Sequence, residues 1–172
     1  MDVSGYQLHR RYAPLLARVE EIADQAAFLV QQRMRERMTR TWIVVAAQKH
    51  CPEVITEAAQ RALGLSARPR YRESAVGYLG ITALDSGGTL VVINAGSLIS
   101  HPRHWLDETV VHELAHAVQF GRPGTREHAM KGLRHNYGVE KLSLTRTWKA
   151  NRRVEKDERE AQALEVLARQ IR

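Results

Sequence analysis

A single cysteine, Cys51, stands among the 172 residues, so no intrachain disulfide framework can form and the chain suits a reducing compartment. No apolar run approaches the roughly 20 residues that a membrane-spanning helix needs. The longest N-terminal candidate, Ala26 to Val30, is too short for the core of a signal peptide. No membrane partner is expected, and the expected compartment is cytoplasmic. The five prolines are scattered, and neither an internal repeat nor a low-complexity segment divides the chain. The length suits one ordinary hydrophobic core, and a single domain over residues 1–172 is expected.

Acidic residues are the scarcer charge, 19 Asp and Glu against 26 Lys and Arg, which leaves a formal net charge of +7. That balance raises DNA, acidic partners and acidic substrates as ligands. The basic residues come in clusters: Arg33, Arg35, Arg37 and Arg40; Arg61, Arg68, Arg70 and Arg72; Arg146, Lys149, Arg152 and Arg153. Aromatics are also few, and the clusters lack the run of interleaved rings that marks a single-strand-binding groove. Solvated helix faces and loops are the plainer role for most of them.

What is present is first of all periodic. Leu15, Leu16, Val19, Ile22, Ala26, Leu29 and Val30 recur at helical spacing and predict one long amphipathic helix from Tyr12 to about Met38. Trp42 to Ala47 suits a short strand or a helical turn, and Pro52 opens a helix to Leu63 that Gly64 closes. Residues 1–70 are expected to form a helical N-terminal extension. The period then changes. Tyr78 to Leu84 and Thr89 to Ala95 are apolar or β-branched runs joined by Asp85-Ser86-Gly87-Gly88, whose glycines can supply positive φ, and they predict an antiparallel hairpin. From His104 to Phe120 a helix carries Leu106, Val110, Leu114 and Val118 on one face, with Gly121, Pro123 and Gly124 as its stop. A helix from about Arg126 to His135, a strand from Val139 to Trp148 and a charged helix from about Ala150 to Ile171 complete residues 71–172. The expected class is α+β.

Within the helix after the hairpin stands His112-Glu113-Leu114-Ala115-His116, an HExxH pattern. Residues four apart lie about one turn apart on the same helix face, so both imidazoles can reach one tetrahedral zinc. Glu113, rotated off that line, can take a proton from a water that the metal activates and return it to the leaving amine of a peptide. The bland alternative is two core-facing histidines beside an incidental Glu. The hairpin before the motif, the small Ala115 and Ala117, and the glycine stop after it favour a site.

A catalytic zinc takes three protein ligands and keeps one position open, so a third ligand must come from downstream. In the last helix, Glu158-Arg159-Glu160-Ala161-Gln162 offers Glu158 as the ligand and Ala161, one turn on, as a point of close approach. Gln162 could hydrogen-bond a ligand. His128, after the glycine-rich turn, is the alternative third ligand.

The hairpin, the His112 to His116 motif and the later Glu-x-Glu-Ala resemble the gluzincin branch of the zincin peptidases, including the minimal ones related to the ImmA/IrrE type. This resemblance implies a zincin-like fold: a small antiparallel sheet packed against the HExxH helix, with flanking N- and C-terminal helices. It also implies one Zn2+, a peptide or protein substrate, and Glu158 rather than Glu160 as third ligand. The stretch from about Gly77 through Gln119, with Val91-Val92-Ile93-Asn94 ahead of Glu108-Thr109-Val110-Val111-His112, is similar to the SprT-like family as well. That likeness implies a protease acting on DNA-associated proteins, with His128 as third ligand. By family analogy the Thr89 to Asn94 strand forms the cleft edge and receives an extended substrate. Tyr137, His128 and His135 are the candidates for stabilising the oxyanion of the transition state. A different class of reading makes the chain a non-catalytic, basic binding or phage-associated protein. Its zinc would be structural, closed by four ligands that include both His128 and Glu158.

Overall fold

The computed structural model describes residues 1–66, 77–140 and 144–172, the last stretch with side chains from Arg152 onward. In chain order its elements are β1 (Asp2–Tyr6), α1 (Ala13–Met34), β2 (Thr41–Ala46), α2 (Cys51–Leu63), β3 (Gly80–Asp85), β4 (Gly88–Asn94), the one-turn α3 (Ala95–Leu98), α4 (Arg103–Gln119), α5 (Thr125–Asn136) and α6 (Leu144–Leu164). A 3-10 segment, Glu165–Gln170, continues α6. The class is α+β, as the two periodicities imply.

The strands form one mixed sheet in the order β1-β2-β4-β3. β1 with β2 and β2 with β4 run parallel, and β3 with β4 runs antiparallel, from Gly80 opposite Ile93 to Asp85 opposite Gly88. The hairpin forms as expected, but a purely antiparallel sheet does not, because the N-terminal residues supply two more strands. Residues 1–70 are therefore more than a helical extension: Asp2–Tyr6 and Thr41–Ala46 belong to the same sheet as the hairpin. A six-residue apolar run carries no period long enough to tell strand from helix, and β2 is decided by its neighbours on both sides.

β4 is buried along its whole length because helices cover both faces of the sheet. Ile43, Val45, Val91 and Ile93 turn to one face, in a core with Val19, Ile22 and Val30 of α1 and Leu106, Val110 and Leu114 of α4. Leu90, Val92 and Ala46 turn to the other, against Cys51, Val54, Ile55 and Ala58 of α2. Each side chain of this size contributes about 1.5–3 kcal/mol when fully buried, so the sheet is gripped from both sides.

Ser86 and Gly87 turn the hairpin without the left-handed glycines that the sequence suggests, since neither Gly87 nor Gly88 has a positive φ. Gly88 is needed for close approach instead. A Cβ there would lie 2.1 Å from the carbonyl oxygen of Arg40, which accepts the Thr89 N–H at 2.8 Å. Helix α1 stops short of the expected Met38 because Arg35 turns left-handed, with φ of 56°. Gln31 closes that end: its carbonyl accepts the Glu36 N–H, and its side-chain oxygen accepts the Met38 N–H at 2.9 Å.

Among the described residues, the strand expected from Val139 to Trp148 is not formed. Leu144 to Trp148 lie in α6, and residues 141–143 fall outside the described ones. Extending a helix adds one hydrogen bond per residue without a new nucleus, and this overrides a weak alternation at its start. Two contacts then place the helices that matter. Arg18 of α1 donates to both carboxylate oxygens of Asp107 of α4, at 3.0 and 2.8 Å. α6 packs across α4 at Ala161, which is fully buried, the close approach expected of it. Among the described residues no helix is long and apolar enough to cross a membrane.

Candidate metal centre

Helix α4 is seated in the core by most of its circumference: Val110, Val111, Leu114, Ala115, Ala117 and Val118 are all fully buried. His112 and His116, four residues apart, share the face that meets α6. Their Nε2 atoms stand 3.1 Å apart. Glu158 of α6 brings Oε1 to 3.2 Å from His112 Nε2 and Oε2 to 3.2 Å from His116 Nε2. An ion bound tetrahedrally about 2.0–2.1 Å from each donor would set neighbouring donors about 3.3 Å apart, so the spacing fits. Among the described residues, His112, His116 and Glu158 are the group of His, Cys, Asp or Glu side chains placed to hold a metal ion.

The outer nitrogens of both rings are engaged, and their partners set the tautomers. Glu165 Oε1 lies 2.8 Å from His112 Nδ1, and since a carboxylate can only accept, that nitrogen carries the proton. Gln119 Oε1 lies 2.8 Å from His116 Nδ1. The Gln119 amide nitrogen donates to the Asp157 carbonyl at 2.8 Å and to Glu160 Oε2 at 2.9 Å, which decides which end of the amide faces His116. His116 Nδ1 therefore carries a proton too. Both rings are left with Nε2 lone pairs aimed at one point beside a carboxylate, a set of acceptors that repel one another unless a cation sits among them.

Glu113, next to His112 on the helix, is buried, 5% exposed, at the inner end of the cleft described below. The Thr82 hydroxyl of β3 is 2.6 Å from Glu113 Oε2 and 2.9 Å from the Glu113 carbonyl oxygen. Gly80 makes room for the carboxylate: a Cβ there would stand 2.7 Å from Glu113 Cγ and 2.9 Å from Oε1. Burial pushes the Glu113 carboxyl up to about 7, with the electrostatic influence of the neighbouring His116 and the hydrogen bond from Thr82 working against the rise and Glu158 adding to it. A carboxyl in that range can both take and give a proton near neutrality. A divalent cation beside it would draw the value down.

A cleft of about 420 Å³ reaches His112 and Glu113 between the residues that lead into β3, Tyr78 to Gly80, and the first turns of α4 at Trp105 and Glu108. Its strand-side wall thus ends at Gly80, the start of β3, which among the described residues is the edge of the sheet. The Thr89 to Asn94 strand expected there is β4, which lies inside, between β2 and β3. Asn94 holds the approach to β3 in place, its backbone N–H donating to the Leu79 carbonyl at 2.8 Å and its side-chain amide to the Tyr78 carbonyl at 3.0 Å.

The other candidates stand apart from this group. His128 is on α5, which packs on α2 and β3, and it does not join the metal-spaced set. Tyr137 follows α5 as its C-cap and does not line the cleft; His135 sits near that end, its Nδ1 3.2 Å from the Glu140 carbonyl. Gln162 is exposed, and Gln119 and Glu165 hold the two imidazole rings in its stead. Gln119 carried a readable signal, three residues after His116 on the same helix. Gly80 and Thr82 carried none, because only the sheet brings them to Glu113. Of the basic clusters, Arg33, Arg35, Arg37 and Arg40 are exposed, Arg61 pairs with the buried Asp85 at 2.6 Å, and Arg153 hydrogen-bonds Thr125. Arg68, Arg70 and Arg72, and the side chains of Arg146 and Lys149, lie outside the described residues.

No protein-family model matches the chain, and neither a curated protein nor a solved structure matches it.

Proposed function

We propose that this protein is a zinc-dependent endopeptidase of zincin-like build, with His112, His116 and Glu158 as metal ligands and Glu113 as general base. The observation that carries the reading is the convergence of two Nε2 lone pairs and one carboxylate at 3.1 to 3.2 Å, with both Nδ1 protons held from outside. When bound, zinc supplies a Lewis acid that lowers the pKa of water toward about 7 and polarises a carbonyl. Thr82 occupies Glu113 Oε2, which leaves Oε1 to take the proton of the attacking water and deliver it to the leaving amine. Glu165 and Gln119 keep the two rings oriented while this happens. The approach to β3, at the sheet edge, offers its outward backbone groups to an extended peptide.

The readings that need His128 are an SprT-like protease of DNA-associated proteins and a closed four-ligand structural zinc. Neither draws support from a group of three that leaves His128 out. Zinc per chain, measured by elemental analysis, tests the assignment directly. Wild type and His128→Ala are expected to carry roughly one zinc, and Glu158→Ala to lose it. Glu113→Gln should retain zinc and lose about 10²–10⁴-fold in peptide hydrolysis. Wild-type protein that stays metal-free with zinc supplied, or Glu113→Gln with ordinary activity, would overturn the proposal.

A further inference from the structure

Three of the carboxylates around the cleft are committed. Glu158 faces His112 and His116, Glu165 holds His112 Nδ1, and Glu113 is bonded to Thr82. Glu108 is not committed. It is half-buried in the cleft wall, yet it has no hydrogen bond and no ion pair among the described residues. It stands four residues before His112 and therefore one turn away on the same face of α4.

Two aromatic rings flank it. Trp105, three residues before Glu108 on the same helix, and Tyr78 on the strand side both line the cleft while 40% and 52% exposed. His101 stacks on Trp105 with ring centroids 4.5 Å apart, which steadies the indole. Although the chain carries a net charge of +7, no Lys or Arg among the described residues lines this cleft.

Resting on the peptidase reading, we infer that the cleft selects a substrate with a basic side chain beside the cleaved bond, arginine in preference to lysine, and that Glu108 is the residue that selects it. The apolar stem of such a side chain lies along the two rings, and its cation meets the unpaired carboxylate. Arginine is favoured because its planar guanidinium can stack and pair at once. A neutral side chain of the same shape leaves Glu108 desolvated without a partner, and an acidic one adds repulsion.

The test compares peptides that differ only in arginine against citrulline, which keeps the shape and removes the charge. Binding is measured by calorimetry to zinc-loaded, full-length Glu113→Gln, where no turnover interferes. The arginine peptide is expected to bind about tenfold tighter or more, the preference to vanish in Glu113→Gln/Glu108→Gln, and to turn toward acidic peptides in Glu113→Gln/Glu108→Lys. Zinc content and thermal unfolding check that the Glu108 variants are folded. Equal affinities, no binding of either peptide, or a preference that survives Glu108→Gln overturns the inference. Cleavage sites mapped with wild-type enzyme on a mixed peptide library separate the two claims. Cutting without bias toward Arg or Lys sinks the inference and leaves the peptidase standing. A charge preference in binding with no cutting of any peptide does the reverse.

Discussion

Gln119 turns its side-chain oxygen onto His116 Nδ1 at 2.8 Å while its amide nitrogen is held by the Asp157 carbonyl and by Glu160. With both ends of a buried amide engaged, the ring of His116 cannot turn without breaking the set. Arg122 extends the chain, donating to both oxygens of Glu160 at 2.7 and 2.8 Å and to both oxygens of Glu36 at 2.8 and 3.0 Å. A line of bonds thus runs from the segment after α1 to a proposed metal ligand.

The first consequence concerns metal affinity. Gln119→Leu keeps most of the volume and removes the acceptor for His116 Nδ1, and zinc affinity is expected to fall about 10–100-fold. Competition with a chromogenic chelator measures it. Arg122→Ala, one bond further out, is expected to lose less; equal affinities for Gln119→Leu and wild type would mean that the amide does not orient the ring.

Catalysis should be separable from metal binding at Gly80 and Thr82. Gly80→Ala puts a methyl group 2.7 Å from Glu113 Cγ and must displace the carboxylate, while the histidines are untouched. Misplacement of a reacting group by this much costs up to about 100-fold in kcat, with zinc content unchanged. Thr82→Val should also lower kcat with zinc retained, and Thr82→Ser should restore it, since serine keeps the hydroxyl that reaches Glu113. Loss of zinc in Gly80→Ala would show that the glycine serves the fold of the whole site instead.

The hairpin glycines make a paired prediction about stability. Gly88→Ala collides with the Arg40 backbone and is expected to destabilise by about 1–3 kcal/mol in chemical denaturation. Gly87→Ala, whose methyl would meet nothing nearer than Trp42 at 4.0 Å and whose φ is not left-handed, should stay within about 0.5 kcal/mol of wild type. The reverse order would mean that the turn, not the strand contact, requires glycine.

Asp85 links stability to pH. Burial alone would lift its carboxyl, but hydrogen bonds from Arg61 and from the Ser86 N–H outweigh that and hold it below its ordinary 3.8. A value lower in the folded state than in the unfolded one stabilises in full above the ordinary value and is lost as pH falls through the folded one. The melting temperature of Asp85→Asn should therefore lie below that of wild type near neutrality, and the gap should close in acid, below about pH 4. A gap that stays constant into acid would show that the carboxylate charge is not what Arg61 recognises.

Helix geometry makes the inner part of the proposed site legible in the sequence. His112, Glu113 and His116 relate to one another within about one turn, so their mutual placement does not depend on what surrounds α4. The hairpin of β3 and β4 was legible for the same reason, since alternation and a polar turn are local. Glu158 was named as third ligand through the family resemblance, with His128 as the alternative, but helix geometry alone does not single it out among the carboxylates of its helix, because that rests on how α6 is rotated against α4. Burial of Ala161 sets that rotation, bringing Glu158 to the Nε2 atoms and Glu165 to Nδ1 of His112.

Local chemistry in the sequence determined the HExxH helix, the hairpin, the helical stops at Gly64 and after Gln119, and the charge balance. Tertiary structure alone decided the order β1-β2-β4-β3, the pairing of the N-terminal strands with the hairpin, and the seating of Gly80 and Thr82 against Glu113. The physical reason is that a strand's side-chain pattern states which faces are buried and not which strand lies beside it. A carboxylate's role depends likewise on neighbours that only folding brings within hydrogen-bonding distance.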